Sequence, residues 1–362
     1  MIHALDLAHG GQPLPAFLPD ATLGVVRAVD SADLEACGVP AVVMNAFHLM
    51  QRPGSAVVTA LGGAHRMAGW TRPIVADSGG FQAWSMLRDN PKLGSVSDDG
   101  MVVRLPEGDR KLLLTPEKCI QVQMRLGVDV IMCLDECTHV DDPPEVQERS
   151  VRRTIAWAGR CRAEFDKLCR QKKLAPEQRP KLFAVIQGGA SLPLRQRCAE
   201  ALLALDFDGY GYGGWPLDAD GNLVAEVLAY VRQCVPSHLP LHALGVGHPL
   251  NVADAVALGY QMFDCALPTR DARRGRVYQF LSAPAAGRTD WLRMHFLTDD
   301  KHIRSSEPID GTCDCLTCSR YSRGYLHHLY RANEATFQRL TTIHNLRSLT
   351  RLTDALRPVG EA

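Results

Sequence analysis

Seven short apolar runs, each ending in polar or small residues, set the rhythm of this chain. Residues 41–45 read AVVMN, 73–77 PIVAD, 129–135 DVIMCLD and 181–187 KLFAVIQ. Three more runs lie at 207–212, 241–246 and 261–265. Helical patterns separate them, the most extended being the charged stretch 144–170. Near-continuous apolar strands alternating with amphipathic helices predict a parallel sheet covered by helices. Polar residues close five of the strands: Asn45, Asp77, Asp135, Gln187 and Asp264. An open sheet concentrates such groups at one switch point, whereas a barrel gathers them from the whole C-terminal rim. The distribution therefore predicts an α/β fold, an irregular (β/α)8 TIM barrel, over residues 1–280.

Two regions break the rhythm. Residues 80–111, rich in Gly, Asp and Asn, read as an irregular insertion or hairpin. Beyond Asp271 come Arg273, Arg274 and Arg276, then a cysteine cluster, then one helical pattern running from near Ser322 past Phe337. Residues 281–362 are accordingly expected to form a zinc-binding helical subdomain packed on the barrel.

In that cluster Cys313, Cys315 and Cys318 place three thiolates within six residues, close enough to surround one tetrahedral ion. Structural zinc takes four such ligands. His344 leads as the fourth, with His327 and His328 as competitors that spacing alone does not eliminate. Four protein ligands leave no open position, so the expected zinc, one per chain, is structural.

Composition changes the picture only modestly. Lys+Arg and Asp+Glu both total 40, so a polyanionic partner would need a local basic face. The beginning of the chain lacks a signal-peptide pattern, and no apolar stretch approaches the roughly 18 residues of a membrane span. A cytoplasmic, membrane-free setting with reduced cysteines is expected. The string GYGYGG at 209–214 lacks the context of a dinucleotide fingerprint, and no nucleotide cofactor is expected. Its backbone is expected to approach a flat ligand, with Tyr or Trp215 as a stacking surface; a packing turn is the alternative.

The carboxylates carry the candidate chemistry. Asp77 precedes Ser-Gly-Gly, where backbone can come close to a ligand, although it could equally cap the next helix. The paired acids Asp135 and Glu136 are costly unless a donor-rich ligand, a cation or a structural partner offsets their charge. Gln187 suits a heterocycle edge or a turn. Asp264 could serve as nucleophile, base or ion-pair partner of Arg270. Asp77 and Asp264 could divide covalent and acid/base work as carboxylates do at glycosidic centres.

Read together, NAFHL, RPG, DSGGFQ, LTPE, QMRLGVDVIMCLDEC, FAVIQGG, DFDGYGYGG, LGVG, MFDCALPTR and CDCLTCSRYSRGYLHHL resemble the tRNA-guanine transglycosylase family over nearly the whole chain. The resemblance implies a pentosyltransferase that exchanges guanine at the tRNA wobble position for queuine, preQ1 or preQ0 by double displacement. It implies Asp264 as the nucleophile on ribose C1′ and Asp77 as the general acid/base. Asp135 would bind the amine and ring N–H of the base, and Gln187 with the backbone of Gly213 and Gly214 its carbonyl side. Phe81 and Leu244 would stack on either face, and Ser78 and Asn45 would position ligand or Asp77. Arg270, Arg273, Arg274 and Arg276 would meet phosphates, with Lys301, Arg304, Arg320 and Arg323 extending the track. The zinc ligands implied are Cys313, Cys315, Cys318 and His344. Partners implied are a GUN-anticodon tRNA and a second copy of the chain.

Departures from the family pattern fall at the ligand rim. Trp215 to Ala219 replaces the usual Leu-Ala-Val-Gly-Glu, Leu244 replaces a common Met, and residues 138–142 read THVDD. The N-terminal strand region is abbreviated. They leave the incoming base open, as well as two other readings: exchange on DNA, or a non-catalytic subunit of a two-subunit enzyme.

Overall fold

The computed structural model describes residues 2–105, 111–139, 142–218 and 220–358. Its centre is one sheet of eight strands: β1 Ala16–Pro19, β2 Val42–Asn45, β3 Ile74–Asp77, β4 Val130–Met132, β5 Lys181–Ile186, β6 Gly209–Tyr212, β7 Leu241–Leu244 and β8 Met262–Cys265. β2 to β8 pair in parallel in chain order, and β8 pairs in parallel with β1. A parallel bridge between Asp20 and Val43, reinforced by Ala21 N–H donating to Val43 O at 2.7 Å, joins β1 to β2 and completes the ring. The chain thus forms the predicted irregular (β/α)8 barrel. The apolar runs missed β1, because four residues from Ala16 to Pro19 carry too little pattern to register.

Period-two alternation sorts the strand residues. Leu18, Val43, Val75, Met132, Phe183 and Met262 turn inward and form a buried plug, to which Leu5 of the N-terminal hairpin contributes from below. Phe17, Met44, Ile74, Ile131, Leu182 and Phe263 turn outward into the layer shared with the helices. In β6 the inward positions are glycines. A Cβ on Gly209 would lie 2.4 Å from the Phe183 ring, and one on Gly211 would lie 3.1 Å from Leu244. Tyr210 and Tyr212 point the other way and are buried in the helical layer, with the Arg195 guanidinium 4.2 Å from the Tyr212 ring centroid. The expected stacking role of these tyrosines is therefore corrected: strand alternation gives the ligand side of β6 to glycine.

The insertion after β3 is the helix Gly80–Asp89 followed by an antiparallel meander of Gly94–Ser97, Gly100–Arg104 and Lys111–Leu114. Residues 106–110 of that expected insertion lie outside the described residues, as do 140, 141 and Ala219.

After β8 the chain forms the helix Leu267–Arg273 and the antiparallel pair Arg276–Phe280 with Leu292–Phe296. The single helical pattern expected from Ser322 is two helices, Arg323–Arg331 and Ala335–Ala355. The break falls at Asn333, whose φ of 55° is the left-handed conformation in which Asn commonly ends a helix. Ala335–Ala355 packs on β1, on the helix Leu267–Arg273 and on the strand Arg276–Phe280. Asn345 Nδ2 donates to Pro268 O at 2.9 Å and Arg276 O at 3.0 Å, while Arg339 grips Asp33 at 2.5 Å.

Candidate active site and metal cluster

Parallel pairing places the strand-closing polar residues side by side on the C-terminal rim. Asn45 is the register partner of Asp77, and Leu244 that of Asp264. Gln187 follows β5 directly, and Asp135 lies three residues beyond β4.

Asp77 is held by its own turn. Gly79 N–H donates to Oδ1 at 3.0 Å and Asn45 Nδ2 to Oδ2 at 2.9 Å. The turn requires glycine: Gly79 has φ 83°, and a Cβ there would lie 2.5 Å from Phe47 Cβ. Burial pushes the Asp77 carboxyl up to about 6; the Gly79 N–H works against this, and the nearby charges of Asp264 and Asp20 add to it. Ser78 is buried, with Oγ accepting from Gly80 N–H at 3.1 Å. Phe81, on the first turn of the next helix, is 40% exposed, its ring tilted against Trp84 with centroids 5.7 Å apart.

Asp135 accepts from Gln187 Nε2 at 2.6 Å. Burial pushes its carboxyl up to about 7, against that hydrogen bond and with the repulsion of Asp77. Gln187 is fully buried, and its Oε1 has no hydrogen-bond partner. An orphaned buried acceptor beside a carboxyl held near neutrality marks a surface built for a polar ligand. Gly213 N–H is spent on Ile186 O and Gly213 O on Arg195, so the Gly213 backbone is already committed to the fold. Glu136 belongs elsewhere, paired with Arg153 at 3.0 Å on the wall of a neighbouring cavity of about 480 Å³.

Asp264 does not pair with Arg270, which is exposed. Its neighbour is His242, fully buried on the inner face of β7, with Nε2 at 2.8 Å from Oδ1. This is a close approach without hydrogen-bond alignment. Gly245 N–H also reaches Oδ1, at 3.4 Å, so Oδ2 is the freer oxygen. The sequence reading missed His242 and Asp20. Each follows one of its strand rules, inward alternation for the first and a polar strand end for the second. Leu244 and Trp215 stand at the rim, Trp215 44% exposed. Arg270 and Arg274 are exposed, Arg273 is half-buried, and Arg276 is engaged with Asp271 at 3.6 Å and the Phe296 ring at 5.3 Å.

Cys313, Cys315, Cys318 and His344 bring one ligand atom each within 4.8 Å of one another. His344 Nε2 lies 2.6 Å from Tyr278 O and so carries the hydrogen, which turns Nδ1 toward Cys318 Sγ at 3.2 Å. That arrangement is the one a metal-binding imidazole adopts. His327 is excluded, its Nδ1 lying 2.8 Å from Leu297 O, away from the thiols. The donor set fits a metal ion with four protein ligands. All twelve cysteines are free of disulfides.

Fold and site together define a parallel-barrel protein with a carboxylate-lined rim pocket and a Cys3His metal cluster on its flank. The sequence profile of the family described as queuine tRNA-ribosyltransferase matches residues 2–359. Similar proteins carrying that description include one from Methylibium petroleiphilum, 37% identical with 99% of this chain and 90% of the relative covered. Another, from Aromatoleum aromaticum, is 38% identical over 98% of this chain and 89% of its own length. The chain belongs to the queuine tRNA-ribosyltransferase family. No helix among the described residues is long and apolar enough to cross a membrane.

Proposed function

We propose that this protein exchanges guanine at the wobble position of a GUN-anticodon tRNA for a 7-deazaguanine. The observation that carries the reading is the gathering of Asp77, Asp135, Gln187 and Asp264 on one rim of a family barrel. Asp264 is assigned the nucleophile: an oxygen bonds to ribose C1′ as the glycosidic C–N bond breaks and guanine departs. Asp77, held near 6, protonates the leaving base and then takes the proton from the ring nitrogen of the incoming one. That nitrogen attacks C1′ and displaces Asp264. Two inversions restore the original configuration, and one C–N bond replaces another without an external energy source.

Asp135 and Gln187 are assigned the hydrogen-bonding edge of the base, supported by their mutual bond and the orphaned Gln187 Oε1. Phe81 and Leu244 bound its faces, with the backbone around Gly213 and Gly214 on its carbonyl side, Trp215 at the entrance, and Ser78 and Asn45 steadying the Asp77 turn. Arg270 and Arg274 are the leading phosphate contacts, with Arg273 and Arg276 behind them. Zn²⁺ on Cys313, Cys315, Cys318 and His344 would crosslink the Ala335–Ala355 helix to the barrel flank and would have no position open for substrate. Residues 1–280 are proposed as the catalytic unit and 281–362 as the zinc unit. A cytoplasmic homodimer completes the proposal, supported by the free cysteines and the family membership.

Labelled guanine is incubated with enzyme and either a GUN-anticodon tRNA or a DNA duplex, beside Asp264→Asn. Label is expected in tRNA only, and only with Asp264 intact. Label in DNA would reassign the polynucleotide, and no exchange by the wild type would overturn the enzymatic reading.

A further inference from the structure

A second cluster of metal-binding side chains lies at the opposite end of the barrel. Asp129 immediately precedes β4, and its side chain is fully buried. Ile74 N–H donates to Oδ2 at 2.8 Å and His9 N–H to Oδ1 at 3.1 Å, so backbone fixes the carboxylate. His9 Nδ1 lies 2.8 Å from Oδ1 and His65 Nε2 3.0 Å from Oδ2. The two rings stack with centroids 3.6 Å apart, and the three donor groups converge within 4.8 Å.

The hydrogen positions make this more than a cluster. His65 Nδ1 is 3.2 Å from Gly127 O, and a carbonyl oxygen only accepts, so Nδ1 carries the hydrogen. In a neutral ring Nε2 then carries a lone pair 3.0 Å from a carboxylate oxygen, a close approach without hydrogen-bond alignment. Two electron-rich atoms this close in a partly buried site call for a cation that both can reach. Zinc–ligand distances of about 2.0–2.2 Å put neighbouring ligand atoms on the order of 3.3 Å apart, near the spacing already present. An imidazole anchored through its other nitrogen to a carbonyl is the usual support for a metal-bound histidine.

We infer that His9, His65 and Asp129 form a divalent transition-metal site of the zinc class. The His9 side chain is 42% exposed, which leaves room for water as the fourth ligand. The ion would tie the N-terminal hairpin, whose Leu5 plugs the barrel, to the helix Gly63–Ala68 and to the base of β3 and β4. Ile74 and Asp77 occupy opposite ends of β3, about 10 Å apart, so this ion would take no part in base exchange.

The test is metal stoichiometry on the full chain. Protein stripped with chelator and dialysed against zinc should hold two ions per chain, and His65→Gln, which keeps a donor toward Asp129, should hold one. Cobalt substitution should give a thiolate charge-transfer band from the cysteine cluster plus a ligand-field band that both His65→Gln and His9→Gln remove. One ion per chain in wild type and variants alike, with superimposable cobalt spectra, would overturn the site. Base exchange, measured in parallel, reports on the rim independently.

Discussion

Asp135 is a carboxyl kept close to neutrality by burial, and this has a consequence for stability. Its folded-state value of about 7 lies above that of the unfolded chain, so the native state holds the proton longer. Its contribution is fully present below the unfolded value and is lost as pH rises through about 7. Asp135→Asn keeps the acceptor for Gln187 and cannot ionise. Its thermal midpoint should match wild type near pH 4 and exceed it increasingly up to pH 7, with base exchange lost throughout. Melting curves across that range check this, and a constant difference at all pH values would refute it. In the proposed mechanism His242 is a positioning residue: its close approach to Asp264 Oδ1 leaves Oδ2 for the ribose. His242→Phe should lower kcat on the order of tenfold, about 1.4 kcal/mol, while leaving KM for the base unchanged. Equal losses in both would point to general disruption of the rim.

At the level of elements, short strands and tight turns carry the site, and glycine decides where ligand-facing side chains can stand. Gly79 sets the path from β3 into the helix Gly80–Asp89 and delivers its N–H to Asp77. Gly79→Ala combines a positive φ with overlap on Phe47. It should cost about 2 kcal/mol of stability in chemical denaturation. Exchange activity should fall further than the folded fraction, because the Asp77 carboxylate moves with the turn. β6 applies the same logic at larger scale: glycine inside, tyrosine outside.

The whole molecule is electrically neutral in sum, so any attraction for polynucleotide has to be local. Arg270, midway along the helix Leu267–Arg273 that follows β8, and Arg274, its C-cap, are both exposed. If each meets one phosphate, Arg270→Ala and Arg274→Ala should each weaken tRNA binding and reduce the slope of log K against log salt by about 1. Titrations at several salt concentrations measure this, and unchanged slopes would move the phosphate track elsewhere. The two ends of the barrel differ: polar strand-end side chains gather at the C-terminal rim, while Asp129 ties His9 and Ile74 backbone together at the opposite end.

Much was legible in the linear order. Apolar runs ending in Asn45, Asp77, Asp135, Gln187 and Asp264 announced both the barrel and its rim, because burial on both faces and a shared C-terminal edge leave local marks. The cysteine triplet was equally plain, since its three thiols lie within six residues of chain. His344 led on sequence and by resemblance; the structure brings it to the thiols on the helix Ala335–Ala355, while His327, on Arg323–Arg331, turns to Leu297 O. Tertiary structure set His242 beside Asp264, gave Tyr210 and Tyr212 to the helical layer, and joined His9, His65 and Asp129 from three separate elements. Alternation records which face of a strand a residue takes, but these partners come from segments far apart in sequence, and no local period records which of them will be met.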